Sequence, residues 1–276
     1  MSSLRGRLVH EPVPAALAVG GTDSSGGAGL AADLLTFAAH GVHGLLAVTA
    51  VTAQDMSGVR GRTDLPAAAV AAQLEAAAAC GPVVAKSGML ATASAACALA
   101  DALDGALAGV PLVLDPVIRA TAGSRLLDVD AVGVLRERLL ARALVCTPNL
   151  DEASALTGVS DPRSSEILDA LLALGPRWVL LTGGHRTGAP DDMLAGADGT
   201  RLVLPGVRVP TAYDRGTGCT LASALAARLA RGDDVPTAAR TAKEFVTAAL
   251  RGSYPLRGRY GVPRRWRATL TSDVGE

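Results

Sequence analysis

The chain is poor in aromatic residues, which supply 3% of its 276 positions, and it carries only two lysines, Lys86 and Lys243. With so few rings, a core has to be built from Leu, Val and Ala packed between regular elements. The four cysteines, Cys80, Cys97, Cys146 and Cys219, form no C-x-x-C pair. That spacing argues against a disulfide framework and for reduced thiols in a cytoplasm. His10, His40, His43 and His185 show no metal-ligand pattern with these cysteines. The 26 Lys+Arg balance 26 Asp+Glu, so the net charge is zero and the electrostatic footprint of a general nucleic-acid binder is missing. No apolar run approaches the roughly 20 residues of a membrane span, and no apolar segment follows the arginines of residues 1–7 to make a secretory signal. The expectation is a soluble cytoplasmic protein with neither nucleic-acid nor membrane partners. The bias toward Arg and Ala is read as a coding bias.

Hydrophobic residues make up 49% and charged residues 19%, the balance of a folded chain. The length suits one large domain that buries about three quarters of its unfolded surface. Short apolar runs at 15–21, 44–52, 83–86, 112–115, 143–147 and 178–182 read as strands. Between them, large residues recur at helical spacing: Leu30, Leu34 and Phe37; Val70 and Leu74; Leu99, Leu103 and Leu107; Val132, Leu135 and Leu139; Ile167 and Leu171. Two helices close the chain, one carrying Leu221, Leu225 and Leu229, the other spanning about 235–250. This alternation predicts an α/β fold, a mostly parallel sheet covered by helices on both faces. A hairpin is expected in 191–210 around Asp198-Gly199. One domain spans 1–276, with 1–13 and 256–276 expected to be peripheral.

The predicted strand ends carry the chemistry. Thr22-Asp23, Gln54-Asp55, Lys86-Ser87-Gly88, Asp115-Pro116, Pro148-Asn149 and Thr182-Gly183-Gly184 follow six successive strands. In an open parallel sheet these carboxyl ends share one edge, where ligands bind. No G-x-x-x-x-G-K-[ST], no G-x-G-x-x-G after the first strand and no G-x-S-x-G is present, so a phosphate site has to be built another way. Gly216-Thr217-Gly218-Cys219-Thr220 opens a helix, where glycines permit close approach and unpaired N–H groups attract negative charge. That is an anion hole suited to a phosphoryl group in transfer, or a plain glycine-rich turn. A helix start would also lower the pKa of Cys219. Asp115 and Glu152, with Asn149 beside them, can hold Mg²⁺ against phosphates; alternatively, Glu152 caps a first helical turn under Asn149. The glycine-dense stretch 20–29 leads into a helix on which Asp33 lies in an apolar stripe and needs either an internal partner or a ligand. Gln54 offers the paired donor and acceptor that read a heterocyclic edge.

Taken in order, GTDSSGGAGLAADLLTFAAHGVHG, TAVTAQD, AKSGMLAT, VLDPV, TPNLDEASALTG, LLTGGH and GTGCTLASALAA resemble the hydroxymethylpyrimidine/phosphomethylpyrimidine kinases of thiamine biosynthesis, within the ribokinase-like superfamily. The resemblance covers about residues 15–250. It implies a three-layer α/β/α sandwich, usually a homodimer, that moves the ATP γ-phosphoryl to the pyrimidine hydroxymethyl group and in many members phosphorylates the monophosphate again. By position, Gln54, Gly21, Asp33 and Met89 would line the substrate pocket. Gly216, Thr217, Gly218 and Cys219 would form the anion hole, Asp115 and Glu152 would organise Mg²⁺, and Asn149 would lie beside them. The chain departs from the pattern in three places: Thr182 where a lysine is usual, Arg215 where a histidine precedes the anion hole, and Asp55 in the Ala-Gln-Asn step. Arg215 is offered as the replacement for the charge absent at Thr182. Pyridoxal kinase and a catalytically silent pyrimidine- or nucleotide-binding regulator are the alternative readings. The arginines at 257, 259, 264, 265 and 267 read as a solvated charge run. The segment 26–29 and the loop near Gly123 are candidate lids.

Overall fold

The computed structural model describes residues 12–55, 58–119, 126–159, 164–184, 189–257 and 260–267. The loop near Gly123, His10, His185 and Arg259 therefore lie outside the described residues. The chain begins with β1 (Ala15–Gly21), α1 (Gly29–Ala39), β2 (His43–Asp55), β3 (Gly58–Asp64), α2 (Ala67–Ala78), β4 (Val84–Ser87), α3 (Ala93–Asp104) and β5 (Leu112–Leu114). It continues with α4 (Val129–Val134), β6 (Ala143–Cys146), α5 (Leu150–Thr157), α6 (Ser164–Leu172), β7 (Trp178–Leu181), β8 (Asp192–Gly196) and β9 (Arg201–Leu204). Helices α7 (Thr217–Ala230) and α8 (Val235–Arg251) are followed by β10 (Tyr254–Arg257), β11 (Tyr260–Val262) and a short 3₁₀ turn, Arg265–Arg267.

Nine strands form one sheet in the order β3-β2-β1-β4-β5-β6-β7-β8-β9. The six strands β2, β1, β4, β5, β6 and β7 run parallel. Antiparallel β3 closes one side of the sheet and the β8–β9 hairpin the other. Along β1, Leu17 and Val19 join the core formed with α2, α3, α4 and α6, while Ala16 and Ala18 join the core under α1, α7 and α8. Both faces are covered, so β1 reads as a continuous apolar run and not as an alternating one. The three layers foreseen from the hydrophobic pattern are present. After β1 the chain crosses to β2 on one side and later returns to β4 on the other, so the crevice between β1 and β4 lies at a topological switch point.

Local chemistry sets the helix ends. Thr92 caps α3 by accepting from the Ala95 amide. Asp234 caps α8 by accepting from the Thr237 amide, with Pro236 in the first turn, where its missing N–H costs nothing. Ala222, Ala224, Ala226 and Ala227 of α7 are fully buried; their short side chains let this helix lie close against the sheet. The periodic run at Val132, Leu135 and Leu139 becomes α4 followed by a π-helical turn, Leu135–Leu139.

Three elements depart from the sequence reading. Strand β3, GVRGRTD, escapes an apolar-run search because none of its seven residues is buried. Its place in the sheet comes from antiparallel pairing with β2, with Ala50 opposite Asp64. The β10–β11 hairpin forms in a stretch expected to be peripheral. Beyond it, Arg265 is 1% exposed, so the reading of the arginine run as a solvated surface fails at that residue. A guanidinium is withdrawn from water only where acceptors replace the water, and Arg265 has four within hydrogen-bond distance.

Phe245 anchors α8, fully buried and tilted against the His40 ring at 4.4 Å between centroids. Phe245→Ala should lower the unfolding free energy by about 3–5 kcal/mol, measured by urea denaturation; a loss below about 1 kcal/mol would show that the site collapses without a cavity.

Candidate active site

The loop after β1 and the loop before α7 are packed backbone to backbone. Asp23 organises the first. Its Oδ1 accepts from the Ser25 amide at 2.8 Å and hydroxyl at 2.7 Å, and its Oδ2 accepts from the Ala28 amide at 2.9 Å. Arg215 reaches across from the second loop to the same Oδ2, 3.2 Å away. Gly29 has φ +58°, and a Cβ there would stand 2.5 Å from the Gly21 carbonyl oxygen. Gly216 has φ +75°, and its Cβ would overlap the Gly27 carbonyl. Only glycine meets both demands. Gly216 is the N-cap of α7, so the amides of Gly218 and Cys219 in the first turn have no intrahelical acceptor and present the positive end of a 14-residue helix. A helix start with free amides beside a glycine turn thus stands where the anion hole is expected. The candidate lid segment 26–29 is held at Ala28 by Asp23 and at the Gly27 carbonyl by Arg265.

Beneath this hole lies a buried charge cluster. Lys86, at the end of β4, is 0% exposed. Its Nζ is 3.0 and 3.1 Å from the two Asp33 oxygens and 3.9 Å from Asp115 Oδ2. Ser223 on α7 donates to Asp33 Oδ1 at 2.7 Å. Burial opposes the Lys86 charge, but Asp33, Cys219 and Asp115 outweigh it and hold the ammonium well above the ordinary lysine range. Asp33 was expected in the substrate pocket; at 1% exposed, it is instead engaged by an internal partner. Burial pushes the Cys219 thiol up to about 11; Lys86 pulls it down, whereas Asp33 and Asp115 push it further up. The expected lowering by the helix start does not prevail, because burial and two carboxylates act against the thiolate.

Asn149 and Glu152 open α5 as a capping box. Glu152 Oε2 accepts from the Asn149 amide at 3.0 Å, and Asn149 Oδ1 accepts from the Glu152 amide at 2.9 Å. Capping does not use up the carboxylate. Burial raises Glu152 to about 8, with the Asp115 charge adding to it. Burial likewise raises Asp115 to about 6, opposed by Lys86 and reinforced by Asp33. Asp115 Oδ2 and the hydroxyls of Ser87 and Thr147, at the ends of β4, β5 and β6, are buried without hydrogen-bond partners. Among the described residues no group of three His, Cys, Asp or Glu could hold a metal ion. A divalent ion here would be held by one or two carboxylates with water and phosphate oxygens, the usual arrangement for Mg²⁺, and the unpartnered Asp115 oxygen fits that role.

Next to Asn149, Thr182 forms an isolated parallel bridge, and its amide donates to the Pro148 carbonyl at 2.9 Å. The following amide, Gly183, donates to Asp192 Oδ1 at 2.8 Å, and Lys243 on α8 holds Asp192 Oδ2 at 2.8 Å. On the other side, Gly21 and Met89 meet: a Cβ on Gly21 would stand 3.0 Å from the Met89 sulfur. Met89 packs with Ala50, Ala91 and Leu126 in a small apolar cluster. Ala91 takes φ +66°, a strained value for a residue with a Cβ. Gln54 is fastened through its backbone to Ser24, and among the described residues its carboxamide has no protein partner.

The structure thus brings Gly216, Thr217, Gly218 and Cys219 close to Asp115 through Lys86, sets Asn149 beside Glu152 and Thr182, and places Gly21 against Met89. Arg215 is engaged by Asp23. Sequence reasoning gave no role to Lys86, Arg265 and Lys243, although Lys86 stood among the strand-end residues. The first two were legible only as a lysine next to a strand end and as one of several tail arginines.

Comparison with known proteins bears on this edge. Residues 23–263 match the family model described as phosphomethylpyrimidine kinase. The chain is 45% identical over 253 residues to a hydroxymethylpyrimidine/phosphomethylpyrimidine kinase of Streptomyces coelicolor, covering 90% of this chain and 93% of that one. It superposes on an ADP complex of Bacillus subtilis pyridoxal kinase with a TM-score of 0.84 and 33% identity, over 92% and 98% of the two chains. A phosphomethylpyrimidine kinase from Clostridium difficile gives a TM-score of 0.76 at 33% identity, over 86% and 99%.

Two expectations follow from the charges. Lys86→Met leaves the buried Asp33 carboxylate without a cation and should cost about 3–5 kcal/mol in urea unfolding; the double variant with Asp33→Asn should recover most of that, and failure to recover would show that the ion pair is not the cause. Asp115 and Glu152 both have folded values above their unfolded ones near 4. The stability they confer is thus present at low pH and lost as the pH rises through about 6 and about 8. In EDTA, calorimetry should show the midpoint falling from pH 5 to 9, and Glu152→Gln should flatten the upper part of that fall; an unchanged slope would refute the assignment.

Proposed function

Because the chain belongs to the phosphomethylpyrimidine kinase family, we propose that it transfers the γ-phosphoryl group of ATP to the hydroxymethyl group of 4-amino-5-hydroxymethyl-2-methylpyrimidine, and a second phosphoryl group to the resulting monophosphate. The observation that carries this reading is the meeting, at one sheet edge, of the α7 N-terminus, the Lys86 cluster and the raised carboxylates Asp115 and Glu152. The substrate ring is assigned to the Gly21–Met89 wall, with Gln54 reading its amino edge and the hydroxymethyl arm turned toward Gly216, Thr217, Gly218 and Cys219. Asn149 and Thr182 lie on the nucleotide side. Asp115 and Glu152 would hold Mg²⁺, which when bound supplies charge neutralisation for the phosphates. The B. subtilis neighbour was solved with ADP, which supports ATP as the phosphoryl donor. A cytoplasmic homodimer belongs to the same reading.

Phosphoryl transfer through a loose transition state asks mainly for position and electrostatic stabilisation. The Gly218 and Cys219 amides are aimed where negative charge spreads over the transferring group. Cys219, with its thiol raised to about 11, is protonated near neutrality in the ligand-free site. It is therefore assigned a wall position and not the role of standing base. Pyridoxal is a second candidate acceptor, because it too carries a ring nitrogen and a hydroxymethyl arm and a pyridoxal kinase superposes over nearly the whole chain.

The deciding assay follows ADP release with ATP and Mg²⁺, offering hydroxymethylpyrimidine, its monophosphate and pyridoxal separately, with products weighed by mass spectrometry. Turnover on the first two, abolished by EDTA, is expected. Pyridoxal as the sole substrate would replace the reading, and nucleotide binding with no turnover in any lane would mark a silent regulator. Cys219→Ser should keep kcat on hydroxymethylpyrimidine within about tenfold; a loss of the 10²–10⁴-fold typical of an absent general base would instead make the Cys219 thiolate the base.

A further inference from the structure

Arg265 lies just past the β10–β11 hairpin, 45 to 50 residues beyond its partners on the anion loop and the first turn of α7. Its Nε donates to Thr220 Oγ1 at 2.7 Å. Its Nη2 lies 2.9 Å from the Gly27 carbonyl oxygen, 3.0 Å from that of Arg215 and 3.4 Å from that of Gly216. Thr220 Oγ1 in turn donates to the Gly216 carbonyl at 2.7 Å, and the Thr220 amide reaches the same oxygen at 2.9 Å. One buried guanidinium therefore joins the glycine loop after β1, the residues before α7 and the first turn of α7. At 1% exposed, it cannot touch a phosphate. Whatever it contributes to transfer passes through the backbone it holds.

The carbonyl it grips belongs to the residue whose left-handed turn sets where the next amides point. Gly216 accepts three hydrogen bonds on that oxygen while packing directly on Gly27. Burial lowers the pKa of Arg265, and the neighbouring Cys219, Asp33, Tyr254 and Asp23 raise it, with burial prevailing; the group nonetheless stays protonated, as any arginine does. Only a planar fork with donors on separate edges serves the Thr220 hydroxyl and several carbonyls together; a lysine head offers a single centre.

We propose that Arg265 is a positioning residue for phosphoryl transfer: it locks the Gly216 turn and so fixes the direction of the Gly218 and Cys219 amides, making the C-terminal hairpin and turn part of the active site. The kinetic side of this inference rests on the kinase reading above; the conformational side does not. The test compares the full chain with its Arg265→Lys variant in two readouts. In ¹⁵N–¹H correlation spectra, the amides of residues 216–219 should shift while those of the β8–β9 hairpin stay in place. With hydroxymethylpyrimidine, kcat should fall about 10- to 100-fold, below the full loss known for removing one oxyanion donor, with the pyrimidine KM within twofold. Unmoved loop amides, a kcat within twofold of the parent, or shifts spread over the whole chain would each overturn the proposal. If Arg265→Lys does not fold, Thr220→Val is judged by the same readouts, because it removes the hydroxyl that links Arg265 to the Gly216 carbonyl, and a smaller, about three- to tenfold, fall in kcat is expected. A parent chain that turns over none of the three substrates counts against the kinase reading, and the amide shifts then decide on Arg265 alone.

Discussion

The site is organised around a lysine ammonium wholly removed from water. Burying a lone charge costs several kcal/mol, and the cost is offset only when partners surround it. Lys86 has Asp33 from α1 at 3.0 Å, Asp115 after β5 at 3.9 Å and, through Asp33, Ser223 of α7. One charge therefore determines how two strands and two helices meet at the carboxyl edge. The β1–β4 switch point, which topology makes a crevice, has a floor of buried ion pairs because the strand entering on its second side ends in Lys-Ser. The orientation of α7 follows as well: Ser223 faces Asp33 four residues after Cys219, so the same helix that opens the anion hole is tied by its second turn to the ion pair.

The remaining charges are left deliberately unbalanced by this arrangement. Lys86, Arg215 and Arg265 are matched against Asp23, Asp33, Asp115 and Glu152. Arg215 is committed to Asp23 and Arg265 to neutral oxygens, so Asp115 and Glu152 share only the edge of the Lys86 field. Burial raises them to about 6 and about 8; Lys86 only partly opposes the shift of Asp115, and the Asp115 charge adds to that of Glu152. In the proposed kinase, two carboxylates raised by burial, an Asp115 oxygen without a hydrogen-bond partner and the free hydroxyls of Ser87 and Thr147 would receive a cation. The same two carboxylates would repel a naked polyphosphate, so in that reading cation and phosphate would be favoured together over either one alone. Cys219 belongs to this balance: with carboxylates beneath it, its proton stays on sulfur, and the hole offers amide dipoles in place of an anion.

Much of this was legible in the residue order. The central parallel strands announced themselves as short apolar runs because both of their faces are buried, and the polar residues after each run mapped onto the edge. The capping box at Asn149 and Glu152 and the glycine pattern at 216–219 are local features, and local features survive reading along a line. What was not legible depends on distant partners. Asp33 advertised a need for a counter-charge, but nothing near it in the chain says that Lys86, 53 residues away, supplies it. Strand β3 has no buried residue to betray it and exists because β2 overhangs the sheet. Arg265 sits among other arginines with no local mark to set it apart; its burial follows from where the β10–β11 hairpin delivers it.

The departure at Thr182 is best understood against the same charges. A threonine cannot replace a lysine as a point charge, and Arg215, the expected substitute, has a side chain 13% exposed and held by a fully buried carboxylate. Moving it away would leave the buried Asp23 carboxylate without a cation, held only by Ser25 and the Ala28 amide. The loop at Thr182 is instead stabilised from behind: Lys243 grips Asp192, and Asp192 accepts from the Gly183 amide. A lysine therefore does serve this part of the edge, acting on the backbone and not on a ligand. Both lysines of the chain are thus buried or nearly so and paired with an aspartate, Lys86 with Asp33 of α1 and Lys243 with Asp192, which in turn holds the Gly183 amide.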